Sequence, residues 1–480
     1  MSCSERGNSK AQLQLGLKYK LGFNVSKNAV EAVRWLLLAA QQCERKAQYH
    51  LAGMYMKGEG VAKDGVEAVR WYKSAAKSGK SAIQYILGDI YANGKGIAEN
   101  DVEAVRWYRL AAEQGNSLAQ YQLGVMWAGG EGVVKDYVEA IRWYRLSAEK
   151  GKKEAQNALG LMYSAGQGVA QDYAVAFGWF KLAAKAGVLE AKYKLGMMLL
   201  NGRGIKKDGI KAFRRFRTAA NLGHAKSQYR LGTMHYSGNG IYQDFGQAIN
   251  WYHKAAKQDH VYSQYKLAKM VEKGEGIAKD ETKAIGWYKK AASLGYVKAQ
   301  KHLGAAYSNG WGVQRNLNKA VHFYRMAAQQ GNAVGQYQMS KAYTNGWGVE
   351  KDIVLADMWA NLTPSDGALI KQSNTRRRKM MTPAQIAKVE QLILQWYQKM
   401  AKKGHSAVQY RLGLMYMAGN RVKQHYPSAL MWLNLAAANK GSARSVLKRI
   451  EKDTIKLVKL MTSEQKAKAA QLIKQWRQKN

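Results

Sequence analysis

The sequence predicts an all-α solenoid of about eleven 36-residue helix-turn-helix repeats, closed by a helical cap at its C-terminal end. Three observations predict it. A G-x-G triplet returns every 36 residues, its leading glycine at Gly58, Gly94, Gly130, Gly166, Gly202, Gly238, Gly274, Gly310 and Gly346. A fixed period of this length marks stacked repeats, each burying its apolar face only against its neighbours. Six residues after each leading glycine stands an Asp or Asn, and apolar residues recur at helical spacing on both sides of the triplet.

The unit from Lys46 to Ser81 shows how each element arises. Ala47, Leu51, Ala52 and Tyr55 share one face of a first helix. Gly58 ends that helix, because the chain leaves it through positive φ. Asp64 caps the second helix by accepting from its free N–H groups. Its equivalents, from Asn28 through Asn100, Asp136 and Asp172 to Asp352, are all Asp or Asn. The second helix carries Ala68, Trp71, Tyr72, Ala75 and Ala76: small residues for close approach and an aromatic pair to fill the gap. Gly79 closes it, and the short link that follows suits only antiparallel neighbours. A methionine column, Met54, Met126, Met162, Met198, Met234, Met270 and Met415, reads as core filling.

These residues resemble the Sel1-like repeat family, relatives of the tetratricopeptide repeats. The pattern is carried by Ala119, Leu123, Gly124, Gly130, Gly132, Val133, Asp136, Ala140, Trp143, Tyr144, Ala148 and Gly151. The resemblance covers about residues 11–361 and 407–441. It implies a right-handed α/α superhelix with first helices lining the concave side. It also implies a non-catalytic adaptor that holds another protein, as bacterial regulators, virulence factors and immunity proteins of the family do. The organisation is then a tail at residues 1–10, repeats over 11–361, a helical insertion at 362–406, a last repeat at 407–441 and capping helices at 442–480. Thr382-x-x-Gln385 and Thr462-x-x-Gln465 read as capping boxes opening the two C-terminal helices. Extensions of this kind recur in bacterial members.

The net charge of +43 concerns partners, not fold. Residues 371–480 carry 24 basic and 4 acidic side chains, and no acidic residue lies between Lys283 and Val349. Acidic protein, nucleic acid and anionic lipid all suit such a surface. The two cysteines, Cys3 and Cys43, do not make a disulfide-stapled scaffold, and a reducing compartment is compatible with them. The first residues lack an apolar leader core, and no apolar run could span a bilayer. The expectation is a cytoplasmic chain, or an exported one if a leader has been removed.

Candidate functional residues lie where copies of the repeat differ. The free face of the first helix turns basic late in the chain, at Lys194, Arg230, Lys266, Lys269, Lys273, Lys341 and Arg411. The pattern reads either as a positive groove or as a solvated face sharing the global charge. The middle residue of G-x-G is polar in seven copies but is Trp311 and Trp347 in two neighbours. These read as interface anchors, or as tryptophans packed on each other or under the insertion. One repeat replaces the Trp-Tyr pair by Arg215-Phe216, within a basic cluster of Arg203, Lys206, Lys207, Lys211, Arg214, Arg215 and Arg217. There the arginine either snorkels outward or distorts the stack; a local change in superhelix curvature is expected. Arg376, Arg377 and Arg378 form a second basic run that either binds phosphate or acidic groups or lies solvated in a loop. The histidines share no metal-ligand spacing, and no nucleophile triad or phosphate-binding glycine loop appears, so neither metal nor cofactor is expected. The reading is a protein-interaction scaffold holding an acidic protein partner in a basic concave groove. The alternative is a nucleic-acid-binding helical-repeat protein using the same groove.

Overall fold

The computed structural model describes residues 8–363, 375–438 and 444–479. All regular structure among them is helical. The chain divides into two compact units, Met1–Trp251 and Tyr252–Asn480.

Within each unit the repeat is built as its chemistry dictates. Helix Arg45–Lys57 ends at Gly58, whose φ is 75° and whose N–H returns to the Met54 carbonyl at 2.8 Å. The Asp64 N–H then donates to the Tyr55 carbonyl at 3.0 Å, folding the loop back on the helix it left. Asp64 Oδ1 accepts from Val66 and Glu67 N–H at 2.9 and 3.0 Å and starts helix Gly65–Ala76. The glycine of the L-G pair has a packing reason. A Cβ on Gly124 would sit 2.6 Å from the Tyr144 ring, so its absence lets the second-helix aromatic lie against the first helix. The second glycine of G-x-G is more than a terminator. Gly132 has a φ of 65°, and a Cβ there would lie 2.3 Å from the Asp101 carbonyl oxygen of the preceding repeat. Backbone meets backbone at this junction.

A glutamine column stitches repeats together. Gln48, Gln120, Gln156, Gln228, Gln264, Gln300 and Gln409 each donate a side-chain N–H to an alanine carbonyl eight residues earlier, at 2.9–3.2 Å. The acceptors lie at the end of the preceding second helix, and all seven glutamines are buried. Gln120→Ala is expected to lower stability by about 1–3 kcal/mol, since it removes a buried bond and leaves a gap; urea unfolding followed by circular dichroism measures it.

Several expectations are altered. The first helix, Ser9–Leu21, starts inside the expected 1–10 tail, with Asn8 as its cap. Arg215 leaves its own helix regular. Helix Gly209–Asn221 has the usual 13 residues and its Asp208 cap, Phe216 fills the core, and Arg215 is exposed. A long flexible side chain reaches water without disturbing the helices. Cys43 is disulfide-bonded, and no free cysteine occurs among the described residues; Cys3 lies outside them. Cys43 occupies the position of Gly79 one repeat later and shares its positive φ, 63° against 77°.

Both capping boxes form, with reciprocal bonds of 2.9–3.2 Å between Thr382 and Gln385 and between Thr462 and Gln465. They open helices Pro383–Lys402 and Ser463–Lys479. The end of the former packs like a second helix, with Tyr397, Met400 and Ala401 buried and Gln409 bonded to Ala401. Helix Ser463–Lys479 lays Trp476 edge-on against Trp432, ring centroids 6.4 Å apart.

Candidate functional site

The basic side chains of the first helices differ in how far they are already matched. In the unit Met1–Trp251, Lys194 lies 3.6 Å from Glu190, which also meets His224 at 3.3 Å and Lys226 at 3.2 Å. The His224 bond, working against burial, and then Lys226 and Lys194 hold the Glu190 carboxyl down at about 2. Lys194 is therefore partly neutralised. The Arg230 guanidinium lies 5.6 Å from the Tyr229 ring centroid, and its Nε is buried without a hydrogen-bond partner. Arg203, Lys206, Lys207, Arg214, Arg215 and Arg217 are all exposed. Arg203 stacks toward the Tyr173 ring at 5.6 Å and Arg217 toward Phe213 at 5.8 Å.

In the unit Tyr252–Asn480, helix Val261–Lys273 carries Lys266, Lys269 and Lys273 at i, i+3 and i+7, one face. Lys266 and Lys269 are half-buried. Burial pushes the Lys266 ammonium below its ordinary range, and the nearby charges of Lys269 and Lys298 push it further. Lys273 pairs with Glu275 at 3.2 Å. Lys341 and Trp347 come together: the ammonium lies 5.8 Å from the indole centroid and 5.3 Å from that of Tyr337, cation–π distances. Trp347 is 45% exposed and Trp311 54%. Arg411 is exposed and lies within 3.5 Å of the Tyr397 hydroxyl.

The second basic run is a correction. Arg376 is exposed, but Arg377 and Arg378 are not available to an outside anion. Asp357, fully buried, accepts from Arg378 Nε at 3.0 Å and from Asn361 at 3.0 Å, with Arg377 3.6 Å away. Arg378 also reaches Glu390 at 2.6 Å, and Glu390 pairs with Arg421 at 2.6 Å. Two arginines that looked like an anion site in the sequence hold the inserted helix to helix Ile353–Leu362 instead.

Sequence reasoning missed an acid in the same unit. Two residues before the leading glycine other repeats carry Met56, Ala92, Ala128 or Ser308; here the position is Glu272. Its carboxylate accepts from the Tyr288 hydroxyl at 2.8 Å and meets His302 Nε2 at 3.0 Å. Burial, then the Glu272 bond, raises the Tyr288 hydroxyl well above its ordinary range. A small cavity of about 160 Å³ beside them is walled by Trp311 and Glu281. Trp311 thus leans over its preceding repeat. A register comparison of repeats at that position could have found Glu272.

Among the described residues no helix is long and apolar enough to cross a membrane. The Sel1 repeat matches residues 9–42, 45–80, 82–116, 117–152, 153–188, 189–224, 225–260, 261–296, 297–332, 333–361, 394–405 and 406–440. The stretch 394–405 is the end of helix Pro383–Lys402, so the inserted segment interrupts a repeat and then completes it. No curated protein matches the chain. Among solved structures it is similar to a protective antigen present in uropathogenic Escherichia coli strains, described as displaying an SLR fold. That match has 33% identity and a TM-score of 0.60, covering 98% of this chain and 92% of the other. It is also similar to a Sel1 repeat protein from Oxalobacter formigenes, with 27% identity and a TM-score of 0.59, covering 71% of this chain and 96% of the other. With the repeat matched along most of its length and a solved relative of nearly equal extent, the chain belongs to the Sel1 repeat family.

Proposed function

We propose that this chain is a non-catalytic scaffold that holds an acidic protein partner on the basic face of helix Val261–Lys273. Sel1 repeat proteins generally act as protein-interaction scaffolds. One observation carries the finer reading. Lys266, Lys269 and Lys298 crowd like charges around a half-buried face that Glu275 offsets only in part, and the following stretch from Lys283 to Val349 contains no acid. Packing does not require lysine there, since the equivalents of Lys266 are Ile86, Gln122 and Ala158. A carboxylate-rich partner relieves the repulsion and gains charge-assisted bonds. Lys341 with Trp347, and Trp311, supply amphipathic contacts for the same partner. The likeness to a protein described as a protective antigen of uropathogenic strains supports a bacterial, virulence-type role.

The test is affinity capture by the full chain, with and without Lys266→Glu and Lys269→Glu. The wild-type chain is expected to retain a protein resistant to nuclease, and the double variant to bind it about tenfold more weakly or worse. Reversal at exposed Lys10 and Lys27 is expected to leave binding unchanged. Nuclease-sensitive capture with a steep salt dependence would assign the face to nucleic acid instead.

A further inference from the structure

Four second helices in the unit Met1–Trp251 carry a valine two residues after the cap: Val30, Val66, Val102 and Val138. All four are between 62% and 68% exposed. A second exposed column follows eight residues on, at Leu38, Leu110, Leu146 and Leu182. The fold does not demand either. In the unit Tyr252–Asn480 the valine position carries Thr282 and Asn318 before Val354, and the leucine position carries Lys254 and Lys290 before Met326. Single exposed apolar side chains are ordinary; columns in register along several repeats form a surface.

Between the second and third repeats this surface deepens into a groove of about 790 Å³. Val66, Trp71, Tyr91 and Ile97 supply its apolar lining. Arg70, Lys73 and Lys77 supply basic groups against a single carboxylate, Glu99. Arg70 is engaged by Glu67 at 3.1 Å, while Lys73 lies 5.4 Å from the Tyr91 ring centroid.

We infer that this groove, and the valine column continuing from it, seats an acidic amphipathic helix of a partner protein. Apolar side chains of that helix lie on Val66, Trp71 and Ile97, and its carboxylates meet Lys73 and Lys77. The shape is concave, which suits a chain segment better than a flat bilayer. An α-helix climbs roughly 10 Å in about seven residues, so one apolar residue per heptad puts a row of apolar side chains along the side that faces the groove. The surface is separate from the lysines of helix Val261–Lys273, so the two readings stand or fall independently.

The probe is a labelled helical peptide of about 21 residues, leucine at every seventh position and glutamate and alanine elsewhere. Its binding to the full chain is followed by fluorescence anisotropy. Saturable binding is expected, weakened about tenfold or more by Val66→Asp with Val102→Asp, and unchanged by Lys266→Glu with Lys269→Glu. Lys73→Glu with Lys77→Glu is a second variant, which leaves the apolar lining intact and should weaken binding similarly. Unchanged binding in both groove variants, or equal binding of a peptide with alanine for leucine, overturns the proposal. So does failure of the peptide to bind while phosphatidylglycerol vesicles bind in a Val66- and Val102-dependent way, which would make the face a lipid surface.

Discussion

Asp357→Ala is expected to destabilise the C-terminal part of the unit Tyr252–Asn480 by about 3–5 kcal/mol, because it strips a buried charge from its partners. Asp357 is fully buried and meets both Arg377 and Arg378, the latter also meeting Glu390. Removing it leaves two guanidinium groups and the Asn361 amide facing a cavity. Glu390 alone cannot serve them, since it also holds Arg421 at 2.6 Å. Repeat arrays need not unfold all at once, so the effect should appear as an early, separate transition in urea, with helicity lost ahead of the main unfolding. Replacing the charges together, as Asp357→Leu with Arg378→Met, should recover part of the loss, because an apolar pair carries no desolvation penalty. A single variant indistinguishable from wild type would show that water reaches the network.

Gly132→Ala should be nearly as damaging, and Gly151→Ala is its built-in control. Both glycines have positive φ, 65° and 83°. A Cβ on Gly151 meets nothing within 4 Å, so only the backbone conformation resists it, at about 1–2 kcal/mol. A Cβ on Gly132 meets the same resistance and also falls 2.3 Å from the Asp101 carbonyl oxygen and 2.4 Å from its carbonyl carbon. Backbone atoms in the first turn of a capped helix cannot step aside as a side-chain end can. The junction between these two repeats must open, and a loss of roughly 3 kcal/mol or more is expected from strain and lost packing together. Chemical denaturation of the two variants side by side measures the difference. Equal losses would mean that φ alone matters at the triplet.

Much of the scaffold was legible because its chemistry is local. A helix terminator needs glycine, a cap needs a short oxygen-bearing side chain, and both lie within six residues of each other in every copy from Gly58 to Asp352. The close approach of Gly132 to Asp101 was not legible, since it spans 31 positions and leaves no mark but the glycine itself. The glutamine column was in plain register yet silent. Glutamine at a helix start reads as solvated until its amide is seen against a carbonyl of the preceding helix. Arg377 and Arg378 misled for a related reason. A run of arginines advertises charge, while its counter-ion, Asp357, sits 20 or so residues upstream in an ordinary-looking helix. Arg215 shows the opposite case: its long side chain reaches water, and its own helix stays regular.

The glutamine column also governs how far a disturbance travels. Where Gln120 or Gln156 joins its repeat to the helix before it, the two sides share a bond that neither keeps alone, and a displacement on one side is handed to the other. At the third repeat Gln84 instead accepts from Gln114, and at the sixth repeat the glutamine gives way to Lys192. Tension applied along the unit Met1–Trp251 is therefore not carried evenly. Pulling on this unit is expected to part the joints at Gln84 and Lys192 before the stitched ones, an order that force spectroscopy of the wild type against Lys192→Gln measures.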